Sequence, residues 1–262
     1  LERIEKNYRD DYSEVLRVFE NSDPSTVSLC SSDMERAIQK ASKLISLKSI
    51  TAKPEIETRR DLSEKEKALL GQKEFNEWVD DSYLLIGKAR FYKREFTDAA
   101  AVLNYSITTA SDPGVRDEAT IWLARLFNET SKPAEALKLL SGLEVTDDSP
   151  RWLRSMYYST LADIHIREKR FAEATGPLEK SASLASGKRS KYRMTYLLAQ
   201  LNELAGNASK AVSLYRDVVR MNPPYDVEFN ARINIAGVFD VQSGNPEEIS
   251  RELGKMLRGV KW

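Results

Sequence analysis

The sequence predicts an all-α fold of about five repeated helix pairs, and three observations support this prediction. A small residue recurs at steps of 37 or 38 residues, and 12 positions after each one a second residue opens a new apolar stretch. Helix-breaking residues, such as Pro113, Pro150 and Pro223, separate successive units. No strand pattern of comparable quality is present. Such a fixed period is typical of repeat architectures. The five pairs are Gly87/Ala99, Ala124/Ala136, Ala162/Ala174, Ala199/Ala211 and Gly237/Ile249.

The pattern divides the chain into four regions. Residues 1–32 are predicted to form an N-terminal arm, either a short helix or an extended segment. Residues 33–47 carry apolar side chains at helical spacing and predict a further helix. Residues 48–72 lack steady periodicity and predict a charged linker, whereas residues 73–262 hold the repeats. The approximate bounds of the repeats are 74–111, 112–148, 149–186, 187–222 and 223–260.

The small residues have a packing role in this scheme. Helix A and helix B of one unit are joined by a tight turn, which is Lys93–Glu95 in the first unit. Packed helix axes lie about 8–10 Å apart, so a side chain larger than alanine at the contact would separate them. Pro133 and Pro246 fall in the first turn of a helix B, where the missing N–H costs nothing. Ile249 departs from the pattern and predicts a looser last unit or a capping role.

Composition excludes several classes of function. The 262 residues include 40 Lys plus Arg and 40 Asp plus Glu, so no net charge attracts the chain to nucleic acid or to an anionic membrane surface. No stretch approaches the roughly 18 apolar residues of a membrane span. Cys30 is the single cysteine, which excludes an internal disulfide and a cysteine-rich metal site. Because the chain begins at Leu1, we expect a trimmed or processed fragment.

Catalytic motifs are absent from the sequence. There is no glycine-rich phosphate loop, no His-Glu-x-x-His and no Cys-x-x-Cys. His165 is the single histidine and follows Ala162 by three positions, which predicts a packed or capping side chain. The pairs Asp80–Asp81 and Asp147–Asp148 precede helical runs and predict charges at helix N-termini rather than metal ligands. We therefore expect no catalytic residue, no metal, no cofactor and no enzymatic activity.

A binding surface is predicted instead along the inner groove of the repeats. In a helix-pair solenoid, helix A lines this groove at positions one, four and five residues after its small residue. Arginine and aromatic residues at such positions are the types that dominate protein interfaces. Their mixed charges argue against a groove that only clamps a C-terminal carboxylate, so we expect protein partners. The candidate partner-binding residues at these positions are Lys88, Tyr92, Arg125, Asn128, Asp163, Arg167, Gln200 and Glu203, and we add Arg193 and Tyr196, which point the same way.

The repeat resembles the tetratricopeptide (TPR) pattern. In the third unit, for example, Tyr158-x₂-Leu161-Ala162-x₂-His165 is followed by Ala174-x₃-Leu178. The period exceeds the usual TPR length of about 34 residues. Since the offset inside each pair stays at 12, the excess lies between units. The resemblance implies a TPR superhelical solenoid of about five helix pairs, with an N-terminal arm and an extra helix.

Three segments resemble a particular TPR family more closely. Residues 7–16, residues 76–92 and the helix around 34–44 are similar to the N-terminal region of the PorW/SprE lipoproteins, which belong to the type IX secretion and gliding-motility apparatus of Bacteroidetes. This resemblance implies an outer-membrane lipoprotein on the periplasmic face. It would link the PorK/PorN ring and the PorL/PorM motor to the Sov translocon. Membrane attachment would use a lipid anchor outside this stretch, because no lipobox precedes Cys30.

Two other adaptors remain as alternatives. One is a BamD-like outer-membrane assembly lipoprotein, and the other is a cytosolic co-chaperone. In each of these interpretations the partners are proteins, with no nucleic acid and no small-molecule substrate.

Overall fold

The computed structural model describes residues 8–20, 24–54, 62–238 and Gly254, and within these ranges it contains helices and no strand. This confirms the predicted all-α class. The helices are α1 Pro24–Ser28, α2 Ser31–Lys48, α3 Glu64–Leu70, α4 Glu77–Tyr92, α5 Phe96–Thr109, α6 Pro113–Glu129, α7 Pro133–Ser141, α8 Arg151–Arg167, α9 Phe171–Leu184, α10 Lys188–Leu204, α11 Ala208–Arg220 and α12 Tyr225–Val238.

The chain forms two compact units. The first contains Leu1–Tyr8 and Asn21–Glu144, and the second contains Arg9–Glu20 and Val145–Trp262. The N-terminal region is therefore shared: its residues 9–20 belong with the C-terminal half of the chain.

In the first unit, consecutive helices from α4 to α7 pack against one another, and α2 lies against α4. Ile38 and Ala41 of α2 form an apolar cluster with Ile86 and Ala89 of α4. These residues recur at spacings of three, which place them on one face of each helix. The extra N-terminal helix thus covers the first helix A of the repeats.

Two short helices occur where the sequence pattern is weak. Helix α1 lies inside the predicted arm, and α3 lies inside the predicted linker 48–72. Helix α3 is started by a capping box: the Ser63 side chain accepts from the Glu66 N–H, and the Glu66 carboxylate accepts from the Ser63 N–H. This exchange satisfies two amide groups at the helix start. A seven-residue helix shows too few apolar positions for periodicity to predict it.

In the second unit, α8 packs with α9, α9 with α10, α10 with α11, and α11 with α12. The segment Arg9–Glu20, which we call the strap, contains no helix from Arg9 to Phe19. Its side chains Leu16 and Val18 are each 2% exposed and belong to the same apolar core as α8 to α12. The strap is therefore part of the core of this unit.

Helix A and helix B are joined by the same three-residue turn in four pairs. The middle residue of each turn has a positive φ, and the third residue donates its N–H to a carbonyl five positions earlier, as Lys132 does to Phe127 at 2.8 Å. This is the Schellman arrangement of a helix end. It explains the constant 12-residue offset, because each turn has the same length. The middle residues are Arg94, Ser131, Lys169 and Gly206.

The small residues lie at tight helix contacts, as their packing role requires. The alanines of the second, third and fourth pairs, together with Ala99, are completely buried. A Cβ added to Gly87 would lie 2.7 Å from Leu103 Cδ2 of the paired helix. Around Gly237, by contrast, an added Cβ would meet no described atom within 4 Å. Its predicted pair partner Ile249, and with it helix B of the fifth unit, lies outside the described residues.

Candidate functional site

Four side chains form a stripe along α10. Arg189, Arg193, Tyr196 and Gln200 are separated by four, three and four positions, the spacing that places residues on one face of a helix. We call this stripe the α10 face. Each of its four side chains contacts the strap.

Arg193 makes several polar contacts with the strap. Its guanidinium holds the Asp10 carboxylate through two N–H groups, with Nη2 at 2.7 Å from Oδ1 and Nε at 2.9 Å from Oδ2. It also donates to the carbonyls of Arg17 and Val18. The Arg193 and Asp10 side chains are 4% and 8% exposed. A buried charge pair of this kind is tolerated because its geometry is bidentate and further hydrogen bonds satisfy the remaining donors.

A second cationic group reaches the far end of the strap. Arg189 Nε donates to Glu20 Oε1 at 3.0 Å, and Arg193 Nε lies 3.3 Å from the same oxygen. The α10 face therefore offers two guanidinium groups to two carboxylates of the strap.

Gln200 recognises the main chain of the strap. Its Nε2 donates to the Glu14 carbonyl at 2.8 Å, and its Oε1 accepts from the Leu16 N–H at 3.0 Å. A side-chain amide carries the same donor and acceptor as a peptide group. It can therefore satisfy main-chain groups that have no partner within a non-helical segment.

Tyrosine rings fill the space between these polar contacts. The Tyr196 ring meets the Tyr12 ring and the Tyr215 ring edge to face, with centroids 5.2 Å apart in both pairs. Asn234 Nδ2 donates to the hydroxyl oxygens of Tyr196 and Tyr215. Burial raises the pKa of Tyr12, Tyr196 and Tyr215, so these phenols stay neutral. The Tyr215 hydroxyl donates a hydrogen bond to Glu203 Oε2 at 3.0 Å.

The strap keeps its shape through a local turn. The Asp11 carboxylate accepts from the Ser13 N–H at 2.9 Å and from the Ser13 hydroxyl at 2.6 Å. These bonds hold the pKa of Asp11 below its usual value. The turn presents Tyr12 to Tyr196 and leads the chain into the buried Leu16.

Of the predicted partner-binding residues, Arg193, Tyr196 and Gln200 thus contact the strap. Three others pack inside the first unit around Trp122. Lys88 Nζ lies 2.5 Å from Glu118 Oε1, the Arg125 guanidinium lies 4.1 Å from the Trp122 ring centroid, and the Tyr92 ring lies 5.5 Å from it. Position along helix A predicts the face of these residues but not the neighbours that bury them.

The remaining predicted residues have varied surroundings. Asn128 is buried, whereas Glu203 is exposed. Asp163 is buried and accepts from Arg167 Nε at 3.2 Å, four positions along α8. A role of these residues in partner binding stays a prediction.

His165 and Asp80, which were candidates for catalysis or metal binding, both contact neighbouring groups of the protein. Burial lowers the pKa of His165, with Arg170 adding to the effect, and its Nδ1 lies 3.4 Å from Glu173 Oε2. Asp80 accepts from the Ser111 N–H at 2.6 Å. Within the described ranges, no three His, Cys, Asp or Glu residues are grouped as a metal site would need. None of the described helices has the length and apolar character to cross a membrane.

No protein-family model and no curated protein sequence matches the chain. The solved structure of BtubC (BKLC) from P. vanneervenii aligns with 90% of this chain and 94% of its own, at 14% identity and a TM-score of 0.53. A kinesin light chain structure from Podosopora anserina, with nearly identical TPR-like repeats, has a TM-score of 0.48 and 17% identity over 68% of this chain and 92% of its own.

The likeness to BtubC shows the fold, which agrees with the helix pairs and turns described above. The chain has an all-α, TPR-like repeat fold, as the sequence predicts.

Proposed function

We propose that this protein is a non-enzymatic scaffold that binds other proteins through its repeats. The observation that supports this function best is the strap on the α10 face. Here the repeat surface already holds a polypeptide segment, by its main chain through Gln200 and by its charges through Arg193. Fold alone does not define function, but this arrangement has the chemistry of peptide recognition.

Within this class, we propose an adaptor of type IX secretion on the periplasmic face of the outer membrane. The support is the resemblance of residues 7–16 and 76–92 to PorW/SprE lipoproteins. The proposed partners are the PorK/PorN ring, the PorL/PorM motor and the Sov translocon. A BamD-like assembly lipoprotein and a cytosolic co-chaperone remain the alternatives.

Affinity purification tests this role. The tagged chain, incubated with detergent-solubilised envelopes of a bacterium that carries the secretion apparatus, is expected to retain the ring, motor or translocon proteins. A matched column carrying an unrelated repeat protein of similar size controls for adhesion. Recovery of outer-membrane assembly proteins or of cytosolic chaperones would favour an alternative, and recovery of none of these would contradict the secretion role.

A further inference from the structure

The α10 face is occupied by a segment of its own chain, and the contacts of that segment define what any other ligand must offer. Gln200 contacts the carbonyl of Glu14 and the N–H of Leu16, and Arg193 contacts two further carbonyls. These contacts involve main-chain atoms alone. A segment of different sequence can therefore make them, provided that it is not helical.

Charge restricts which segments can replace the strap on the α10 face. If the strap leaves, Arg193 and Arg189 lose the carboxylates of Asp10 and Glu20. A segment that takes the place of the strap again removes the Arg193 guanidinium from water, which is costly without an anion. The replacing segment must therefore bring acidic residues, and a basic segment is excluded by repulsion.

Apolar side chains complete the pattern. Leu16 and Val18 enter the core of the second unit, and Tyr12 meets the ring of Tyr196. The strap thus displays an acid, an aromatic two positions later, apolar residues at six and eight, and a second acid at ten. A segment with this pattern can satisfy the same surface in trans.

We propose that the α10 face binds an acidic, non-helical segment of a partner protein, and that the strap is the competing ligand which this segment displaces. The inference rests on the proposed scaffold function and names its binding face and the chemistry of its partner. Because the strap is tethered, it acts at a high effective concentration and sets the threshold that a partner must exceed.

A peptide with the sequence of residues 9–20 tests the proposal in trans. The full chain is prepared as wild type and as the double variant Leu16→Ala/Val18→Ala, which loosens the strap and leaves the α10 face unchanged. Fluorescence anisotropy of the labelled wild-type peptide is expected to show at least ten-fold tighter binding to the variant. Equal binding to both proteins would overturn the proposal, as would no binding to a variant that keeps its helical circular dichroism.

Two peptide changes test the chemistry. Asp10→Asn removes the carboxylate that Arg193 holds and is expected to weaken binding at least five-fold. Glu14→Gln is the matched control, since the Glu14 side chain is exposed and its carbonyl makes the contact with Gln200. It is expected to change binding less than two-fold. Equal losses for the two peptides would overturn the requirement for an acidic residue.

A second protein variant covers loss of folding. If the double alanine chain unfolds, Asp10→Asn in the full chain weakens the strap while its apolar contacts remain, and the same peptide is expected to bind it more tightly than wild type. No difference from wild type would overturn the competition.

Light scattering identifies the other possible occupant. A loosened variant could form a dimer as its concentration rises, and that dimer could fail to bind the peptide. In that case a second copy of the chain occupies the α10 face, and the partner proposal is wrong. Peptide binding without recovery of secretion components from envelopes would contradict the secretion role alone. Recovery of those components with no peptide binding would leave the scaffold function standing and reject this face.

Discussion

The two units use N-terminal segments of different kinds to cover a helix A. In the first unit, helix α2 lies against α4, and its main-chain groups are satisfied within the helix. In the second unit, the non-helical strap lies on α10, and the side chains of α10 satisfy its main-chain groups. A helix brings its own hydrogen bonds, whereas a strap depends on those that the surface supplies.

This difference has consequences for specificity. The α2–α4 contact depends on apolar side chains such as Ile38 and Ile86, with the Lys93–Glu35 ion pair at its edge. The strap contact adds a buried ion pair and a side-chain amide that forms hydrogen bonds with the main chain of the strap. We therefore expect substitutions of polar residues to lower stability far more at the strap contact than at the α2–α4 contact.

The largest difference is expected from removal of the two cations. Arg193→Leu should destabilise the second unit by about 2–3 kcal/mol, because hydrogen bonds to a buried charged group are lost. Lys93→Leu should cost much less, since the side chain of Glu35, its partner on α2, is 45% exposed and water screens the pair. Urea unfolding followed by circular dichroism measures both. Equal losses would show that the strap is held by its apolar residues alone.

A smaller effect is expected from the amide on α10. Gln200→Leu leaves the Leu16 N–H and the Glu14 carbonyl without their partner and should cost about 1–2 kcal/mol. Hydrogen exchange measured by mass spectrometry should show faster exchange in residues 9–20 and unchanged exchange in 31–48. The matched control on α2 is Gln39→Leu, because Gln39 is exposed and contacts Glu35 on its own helix. Unchanged exchange in the strap after Gln200→Leu would contradict the comparison.

The repeat could be predicted from the sequence because its information is local. Ala162 and Ala174 are only 12 positions apart, on two helices joined by one short turn. The same short pattern recurs in the other units. The helix that pairs with α4 could also be predicted, since α2 is long enough for its apolar face to recur. Helix α3 is too short for this, and its capping box is the one local signal that marks its start.

The strap could not be assigned to its place in the same way. Asp10 and Arg193 are 183 positions apart, and no periodic signal links them. The turn at Asp11 also interrupts any alternation along the segment. Position along helix A predicts that Arg193, Tyr196 and Gln200 share a face, but it does not predict that residues of the same chain occupy that face. The same rule selects Arg125 and Tyr92, which Trp122 buries instead.

Substitutions in the turn inside a helix pair show whether the two units differ in the repeats themselves or only in the segments that cover them, which are α2 and the strap. Ser131 in the first unit and Gly206 in the second both have a positive φ. Ser131→Gly should stabilise the protein by about 0.5–1 kcal/mol, and Gly206→Ala should destabilise it by about 1 kcal/mol, because a Cβ strains this conformation. No described atom crowds the Gly206 site, so backbone strain alone is tested. Thermal unfolding measures both, and opposite signs are required.

The smallest effect concerns the ion pair between Glu35 of α2 and Lys93, which directly follows α4. The hydrogen bond from Lys93 holds the pKa of Glu35 below its usual value, and the same pairing raises the pKa of Lys93. A carboxyl with a lowered pKa stabilises the fold above its ordinary pKa, and that contribution is lost as the pH falls through the lowered value. NMR titration should therefore find the Glu35 pKa below the ordinary value of a glutamate, and Lys93→Leu should raise it. If Lys93→Leu leaves the Glu35 pKa unchanged, the pair does not form in solution, and α2 is held to α4 by its apolar face alone.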